Sequence, residues 1–329
     1  LSLTHTHTHT HYTHTYFHFF QFCSPQAIMQ SQRFIAFVNV FTLLLVSSFS
    51  FPAQANPISN EHVIIDMVQN NPGDSAGWEQ TKYFDPEILK AYGYNAQSTT
   101  GEMSGTQAVD FSSTGHDFFP QGSKQRRWLD TYRAGVDKFV QRTRSVAGVK
   151  SYFFVDLLVF PTFVIDHYRS QITDKNGSLV WNSVTRKLVE VMVKETFKLF
   201  PDVDGFIVRT GETYVYDTPY HQGNSPAKTN NTVALWVDFI SALRDIVCTG
   251  QNKDLFLRSW DNWKSDTTIY TNITEQIQPH AKLYFSIKHS AGDFTRPAVW
   301  NPQLGVGKHA QVHIRLSACM FILFLFTAI

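Results

Sequence analysis

Charged side chains follow several apolar runs of this 329-residue chain, at the point where each run ends. The run GFIV is followed by Arg209, Gly211 and Glu212, and the run LYFSI is followed by Lys288 and Asp293. Two carboxylates can divide the roles of acid and base in a reaction, and cations attract an anionic group. The pattern therefore indicates acid–base chemistry on an anionic substrate.

Polar and aromatic residues also follow the other apolar runs. The full set is Asp66, Asn70, Asn71, Gln97, Glu102, Asp156, Arg209, Glu212, Arg258, Trp260, Asp261, Trp263, Lys288, His289 and Asp293. Paired carboxylates, cations and aromatics together suit an anionic sugar better than a neutral metabolite. Aromatic residues make up 15% of the chain, and rings of this kind both fill cores and stack on sugars.

The elements that position these residues alternate between strand and helix. Residues 128–148 have apolar positions at three- and four-residue spacing, which predicts an amphipathic helix. The near-continuous apolar run at 150–161 predicts a parallel strand buried on both faces. Further strands are predicted at 62–67, 94–99, 203–208, 255–260, 283–288 and 310–314, and further helices at 86–93, 184–200, 233–248 and near Ile273.

This alternation favours an α/β fold, specifically a (β/α)8 TIM barrel that is one strand short at its carboxyl end. The alternative is a doubly wound sheet. The first strand lacks the glycine-rich phosphate loop that nucleotide-binding members of that class carry. In TIM barrels the chemistry lies at the carboxyl ends of the strands, which is where the charged residues fall.

The two ends of the chain differ from the middle in composition. Residues 1–28 carry a Thr-His repeat, which we interpret as a translated upstream region rather than a metal-binding tract. Residues 29–55 have the single charge, apolar core and small-residue cleavage site of a secretory signal peptide. Residues 315–329 form a hydrophobic tail too short to span a membrane, which we interpret as aberrant. The expected domain is 56–314, secreted or in the secretory pathway.

Composition narrows the classes of partner and cofactor. The net charge is +1, with 28 basic and 27 acidic residues, which gives no reason to expect nucleic acid or a membrane surface as partner. The motifs HExxH, CxxC and GxSxG are absent from the sequence. We therefore expect a hydrolase without metal or other cofactor that acts on a carbohydrate. The sequence makes no prediction of the oligomeric state.

Four segments resemble motifs of the glycoside hydrolase family 67 α-glucuronidases. They are DGFIVRTGE at 204–212, LRSWDNW at 257–263, KHSAGDF at 288–294 and NPQLG at 301–305, and they occur in the family's order over roughly residues 60–312. The resemblance implies a TIM-barrel glycosidase. It implies that Glu212 is the general acid and that Asp293 helps a water attack the anomeric carbon.

The resemblance also implies a set of substrate-binding residues. Arg209, Arg258 and Lys288 would hold the substrate carboxylate, with Arg209 in the place of the family's usual lysine. Trp260 and Asp66 complete the predicted set. His313 stands where the family has a second water-activating glutamate.

Each of these residues also has a structural interpretation. Glu212 could cap the following loop, and Asp293 could belong to a turn. Arg258 and Lys288 could form ion pairs with Asp261 or Asp66, and Trp260 and Trp263 could be core residues. Two hypotheses therefore stand: a secreted glycosidase acting on uronate-bearing glycans, and a catalytically inactive barrel or carbohydrate-binding protein.

Overall fold

Seven parallel strands form the central sheet of the computed structural model. The structure describes residues 65–66, 85–99, 104–210, 213, 218–226, 232–258, 263, 266–288 and 301–314. The sheet contains β1 (Ile65–Asp66), β2 (Ala96–Ser98), β3 (Lys150–Val155), β5 (Gly205–Val208), β7 (Asp254–Arg258), β8 (Leu283–Lys288) and β9 (Ala310–Ile314). Two further strands, β4 (Val159–Pro161) and β6 (His221–Gly223), form an antiparallel ribbon.

The strands of the central sheet follow one another in the order in which they occur along the chain. A doubly wound sheet has a point where this order reverses. No reversal occurs among the strands that the structure describes, so the winding is the one expected of a (β/α) barrel. The predicted parallel α/β sheet is thus confirmed, whereas its closure into a barrel stays a prediction.

Helices occupy most of the crossovers between the parallel strands. They are α1 (Pro86–Ala91), α2 (Lys124–Arg144), α3 (Thr162–Ile172), α4 (Ser183–Leu199), α5 (Val233–Leu243) and α6 (Thr267–Thr274). Side-chain caps fix where several of them begin: Ser123 accepts from the backbone N–H of Arg126 at α2, and Asn182 forms a capping box with Thr185 at α4. None of the described helices is long and apolar enough to cross a membrane.

The strand predicted at 150–161 is wrong in its second half. Strand β3 ends at Val155, and the residues from Val159 pair instead with β6. Helix α3, which follows immediately, was not predicted, because its buried residues continue the apolar character of the preceding run. Pro161 stands at the amino end of this helix with φ −54°, a conformation that suits helix entry.

The central sheet has two differently packed faces. Side chains alternate along each strand, so Phe153, Val155, Phe206 and Val208 join the main core together with apolar residues of the helices. The other face, which we call the second face, has a separate cluster of strand residues: Ala96, Tyr152, Phe154, Ile207 and Phe256, with Tyr284 partly buried against them. The second face is therefore apolar in the middle of the sheet.

Glu195 of α4 fixes the segment that follows β2. This buried carboxylate accepts hydrogen bonds from the backbone N–H of Phe111 at 3.0 Å and of Ser113 at 2.7 Å. Two short 3₁₀ turns, Gly105–Ala108 and Ser112–Thr114, lie in the same segment. A loop that leaves the carboxyl end of a strand is thus held to the neighbouring helix by charge-assisted hydrogen bonds.

Candidate functional site

The register of the sheet brings three charged residues together at its carboxyl edge. Val155 lies opposite Val208, and Val208 lies opposite Leu257. The residues that come next in β3, β5 and β7 or in their extensions are Asp156, Arg209 and Arg258, respectively. Since they lie two positions beyond Phe154, Ile207 and Phe256, alternation assigns all three to the second face.

Asp156 and Arg209 form a buried, bidentate ion pair. Nε of Arg209 donates to Oδ1 of Asp156 at 2.8 Å, and Nη2 donates to Oδ2. The side chains of Arg209 and Asp156 are 6% and 4% exposed, respectively. A charge removed from water is stable only when it is paired and hydrogen-bonded, and the planar guanidinium fork meets that requirement.

The ring of Phe154 lies beside both arginines. The guanidinium carbon of Arg209 is 4.9 Å from the ring centroid, and that of Arg258 is 5.1 Å from it. We call these four residues, Phe154, Asp156, Arg209 and Arg258, the edge cluster. The edge cluster thus combines two guanidinium groups and one carboxylate around one aromatic ring.

A chain of hydrogen bonds fixes the segment that leaves β5. The hydroxyl of Thr210 donates to the backbone carbonyl of Arg258 at 2.6 Å. The hydroxyl of Ser225 donates to the carbonyl of Thr210. Thr210, which stands two residues before Glu212 in the sequence, is therefore tied to β7 on one side and to the segment after β6 on the other.

The structure describes only part of the predicted site. Glu212, Trp260, Asp261 and Asp293 lie outside the described residues. Asp66, Lys288 and His313 lie in β1, β8 and β9, and their side chains are outside the described part. Arg209 and Arg258 both lie near the ring of Phe154, and their substrate-binding role stays a prediction. Trp263 is 1% exposed and packs in the main core near Trp236 and Tyr270, which agrees with its structural interpretation.

Sequence reasoning assigned no role to Asp156 or Phe154. A signal was present in the sequence, because Asp156 follows directly on the apolar run of β3 and Phe154 stands two residues before it. The missing information was the register between β3 and β5. Without it, nothing indicated that Asp156 meets Arg209, which is distant in the sequence.

The opposite end of the second face is held by a second polar group. The hydroxyl of Tyr152 donates to Asp254 at 2.7 Å, and Nζ of Lys150 is 3.4 Å from the same carboxylate. Burial and the charge of Asp254 both raise the pKa of Tyr152, so its hydroxyl stays protonated. This group lies at the amino ends of the strands, where residues of barrels typically serve stability rather than catalysis.

Within the described ranges no group of three or more His, Cys, Asp or Glu residues could hold a metal ion. Burial raises the pKa of the Cys248 thiol to about 12, so this group stays protonated at neutral pH.

His221 of β6 is a buried histidine outside the edge cluster. It is 5% exposed, its ring centre is 5.5 Å from that of Trp128, and neither ring nitrogen has a hydrogen-bond partner among the described residues. Burial lowers its pKa from 6.5 to about 3. The imidazole is therefore neutral in the folded protein at every pH at which most proteins are handled.

Acid should destabilise the protein through His221. Between pH 6.5 and 3 the unfolded chain binds a proton at this residue and the folded chain does not, so the free energy of unfolding falls as pH falls. At pH 5.0 the loss relative to pH 7.5 is about 2 kcal/mol. Between pH 7.5 and pH 5.0 the free energy of unfolding of His221→Phe should therefore fall by about 2 kcal/mol less than that of the wild type, as measured by urea unfolding at both pH values. The same loss in His221→Phe and in wild type would contradict the assignment, and the partly exposed His280→Gln serves as control.

Together, the sheet and the edge cluster define an α/β protein with a singly wound parallel sheet that carries two arginines at its carboxyl edge. No protein-family model matches the chain, and no curated protein sequence matches it. Solved structures with some likeness include a maltogenic α-amylase of Thermotoga neapolitana, at 13% identity and TM-score 0.36 over 69% of this chain and 49% of that one. Another is an enzyme of glycoside hydrolase family 138 that targets pectin rhamnogalacturonan II, at 13% identity and TM-score 0.37 over 69% of this chain and 24% of that one.

A third structure of this kind is a putative phosphonomutase of Burkholderia cenocepacia, at 12% identity and TM-score 0.32 over 74% of this chain and 85% of that one. The chain spans about half of the amylase and a quarter of the family 138 enzyme. At these values the likeness carries no argument about fold or activity. The function has to be argued from the chain's own residues.

Proposed function

We propose that this chain is a glycoside hydrolase of the (β/α) barrel type that acts on uronate-bearing glycans. The observation that carries the proposal is the edge cluster: two arginines on the second face, at the carboxyl edge of a singly wound parallel sheet. In barrels of this kind the substrate binds at that edge. The motif resemblance supports the same edge as the active site.

The two carboxylates of the motifs supply the chemistry. Glu212 follows Arg209 by three residues and is the general acid that protonates the leaving oxygen. Asp293 activates the attacking water. Carboxylates that invert configuration stand about 6.5 to 9.5 Å apart, which leaves room for that water. Thr210, two residues before Glu212 in the sequence, is hydrogen-bonded to β7.

The cations hold the carboxylate of the substrate. Arg258 lies on the second face, where its guanidinium adjoins Phe154, and Lys288 ends the next strand, β8. Arg209 is 8% exposed and its charge is shared with Asp156, so we assign it mainly to holding Phe154 and the edge in place. Trp260 and Asp66 complete the substrate contacts, and residues 29–55 direct the protein into the secretory pathway.

The test compares an aldouronic oligosaccharide with its neutral counterpart as substrates of the purified protein. We expect release of free uronic acid from the first. Glu212→Gln should lower kcat by at least about 100-fold, since general acid catalysis contributes 10²–10⁴-fold. Arg258→Gln should raise KM for the aldouronic substrate by about tenfold, the factor that corresponds to one lost ion pair of about 1.4 kcal/mol.

A matched control is Glu190→Gln on α4, which is exposed and pairs with Lys194. This variant should keep the activity of the wild type. Binding of the oligosaccharide without release would support the carbohydrate-binding hypothesis instead. If Glu212→Gln released uronic acid as fast as the wild type, Glu212 would not be the general acid. If Arg258→Gln weakened the binding of the neutral and the aldouronic oligosaccharide equally, Arg258 would not hold the substrate carboxylate.

A further inference from the structure

Two exposed imidazoles, neither of which belongs to the edge cluster, lie against each other. His116 belongs to the segment between β2 and α2, and His167 belongs to α3. Their ring centres are 4.2 Å apart, and the ring planes are tilted by 50°. Phe118 and Tyr168 flank the pair, with ring centres 5.5 Å from His116 and 4.6 Å from His167, respectively.

We propose that His116 and His167 form a binding site for a divalent transition metal such as Zn²⁺, Ni²⁺ or Cu²⁺. Imidazole nitrogen suits these ions. Two imidazoles that bind one ion at about 2.0–2.1 Å per bond have ring centres roughly 4.5–5.2 Å apart for angles of about 90–110° at the ion. The observed separation of 4.2 Å is shorter, so the two rings would have to turn and move apart by up to roughly 1 Å to bind one ion.

Water fills the other coordination positions. No third His, Cys, Asp or Glu joins the pair in a metal-binding group within the part of the chain that the structure describes. A site with open positions exchanges its ligands easily. We therefore infer a site of moderate affinity that an additional ligand from solution can complete.

The fold holds the two histidines together. Glu195 accepts from the backbone N–H of Ser113, three residues before His116, and Phe118 is buried two residues after it. His167 follows Val164 and Ile165, which anchor α3 in the main core. Neither ring therefore has to be ordered by the metal itself.

The histidines are 51 residues apart in the sequence, so the unfolded chain rarely brings them to one ion. A metal that binds both rings accordingly binds the folded state in preference to the unfolded state and stabilises it. This site does not involve Glu212, Asp293 or the edge cluster. The proposal of a metal site is therefore independent of the glycosidase proposal.

The experiment measures urea unfolding of the full chain with and without NiCl₂ or ZnCl₂ up to about 1 mM, which is tenfold above a Kd of about 100 µM. We expect the equilibrium constant for folding to rise about tenfold at that concentration. His116→Gln and His167→Gln should each abolish the rise. The Thr-His repeat near the amino terminus also offers imidazoles, so metal binding alone is not the readout.

His280→Gln is the matched control and should keep the full effect of the metal. His280 lies after α6 and accepts a hydrogen bond from the backbone N–H of Lys282. No stabilisation of the wild type at any metal concentration would overturn the proposal. So would stabilisation of the same size in wild type and in both His116→Gln and His167→Gln.

Discussion

Removing either partner of the Asp156–Arg209 ion pair should cost about 3–5 kcal/mol of stability. The pair is almost entirely buried and bidentate, so Asp156→Leu removes the carboxylate that accepts two hydrogen bonds from the buried guanidinium of Arg209. Arg209→Met removes the guanidinium that donates both of these hydrogen bonds to the buried carboxylate of Asp156. The free energy of unfolding from urea titration measures both losses.

The double variant separates a charge effect from a packing effect. We expect Asp156→Leu with Arg209→Met to be less destabilised than the sum of the two single variants, by at least about 1 kcal/mol, because neither member of the pair then stays buried without the other. The exposed pair Asp166–Arg169 is the control, with side chains 63% and 55% exposed. Its single variants should lose less than about 1 kcal/mol and show little coupling. Additive losses at Asp156 and Arg209 would show that an unpaired buried charge is not the cause of the destabilisation.

The same pair links stability to the proposed site. Arg209 adjoins Phe154, and Phe154 in turn adjoins Arg258, so loss of the pair removes support from the residue proposed to hold the substrate. Asp156→Leu should therefore raise KM for an aldouronic substrate even under conditions in which the variant is folded. Glu212→Gln, in contrast, should act on kcat.

Much of the sheet could be predicted from the sequence because its strands are short apolar runs between periodic helices. The strands at 203–208, 283–288 and 310–314 were placed within two residues of the observed β5, β8 and β9. The strand–helix alternation also placed α4, which was predicted at 184–200 and is observed over Ser183–Leu199. Burial of both sheet faces makes such runs distinct from the polar loops around them.

The region from Asp156 to Ile172 could not be predicted in the same way. Leu157, Leu158, Phe160 and Val164 are all buried, although they lie in a turn, a strand of the ribbon and a helix. Continuous burial removes the alternation that distinguishes one element from the next. Asp156 interrupts the apolar run after β3, but its partner Arg209 could be identified only from the register between β3 and β5.

The edge cluster shows the same division between local and long-range information. The position of each charged residue after an apolar run is a local property, and it was visible in the sequence. Which of these residues meet depends on strand pairing between distant parts of the chain. That pairing is set by the packing of complete strands and helices, so composition and period do not determine it.

Gly205→Ala should destabilise the protein by about 3 kcal/mol, at the upper end of the range for overpacking. A methyl group at this position would overlap the backbone carbonyl oxygen of Asp254 and lie 2.7 Å from its carbonyl carbon. Gly205 pairs with Asp254 in the register of β5 and β7, so the obstacle is backbone and cannot rotate away. The two strands would have to separate locally, which weakens their hydrogen bonds.

Gly135→Ala is the matched control, because it makes the same chemical change with the opposite expected sign. Gly135 lies within α2, and an added methyl group there meets no atom within 4 Å. Alanine should stabilise this helix by about 0.5–1 kcal/mol. Urea unfolding measures the free energy of unfolding of both variants. If Gly205→Ala were as stable as the wild type, the backbones of β5 and β7 could not approach each other as closely as Gly205 and Asp254 do here. Since these strands set Arg209 beside Arg258, such a result would also remove the geometric basis of the edge cluster.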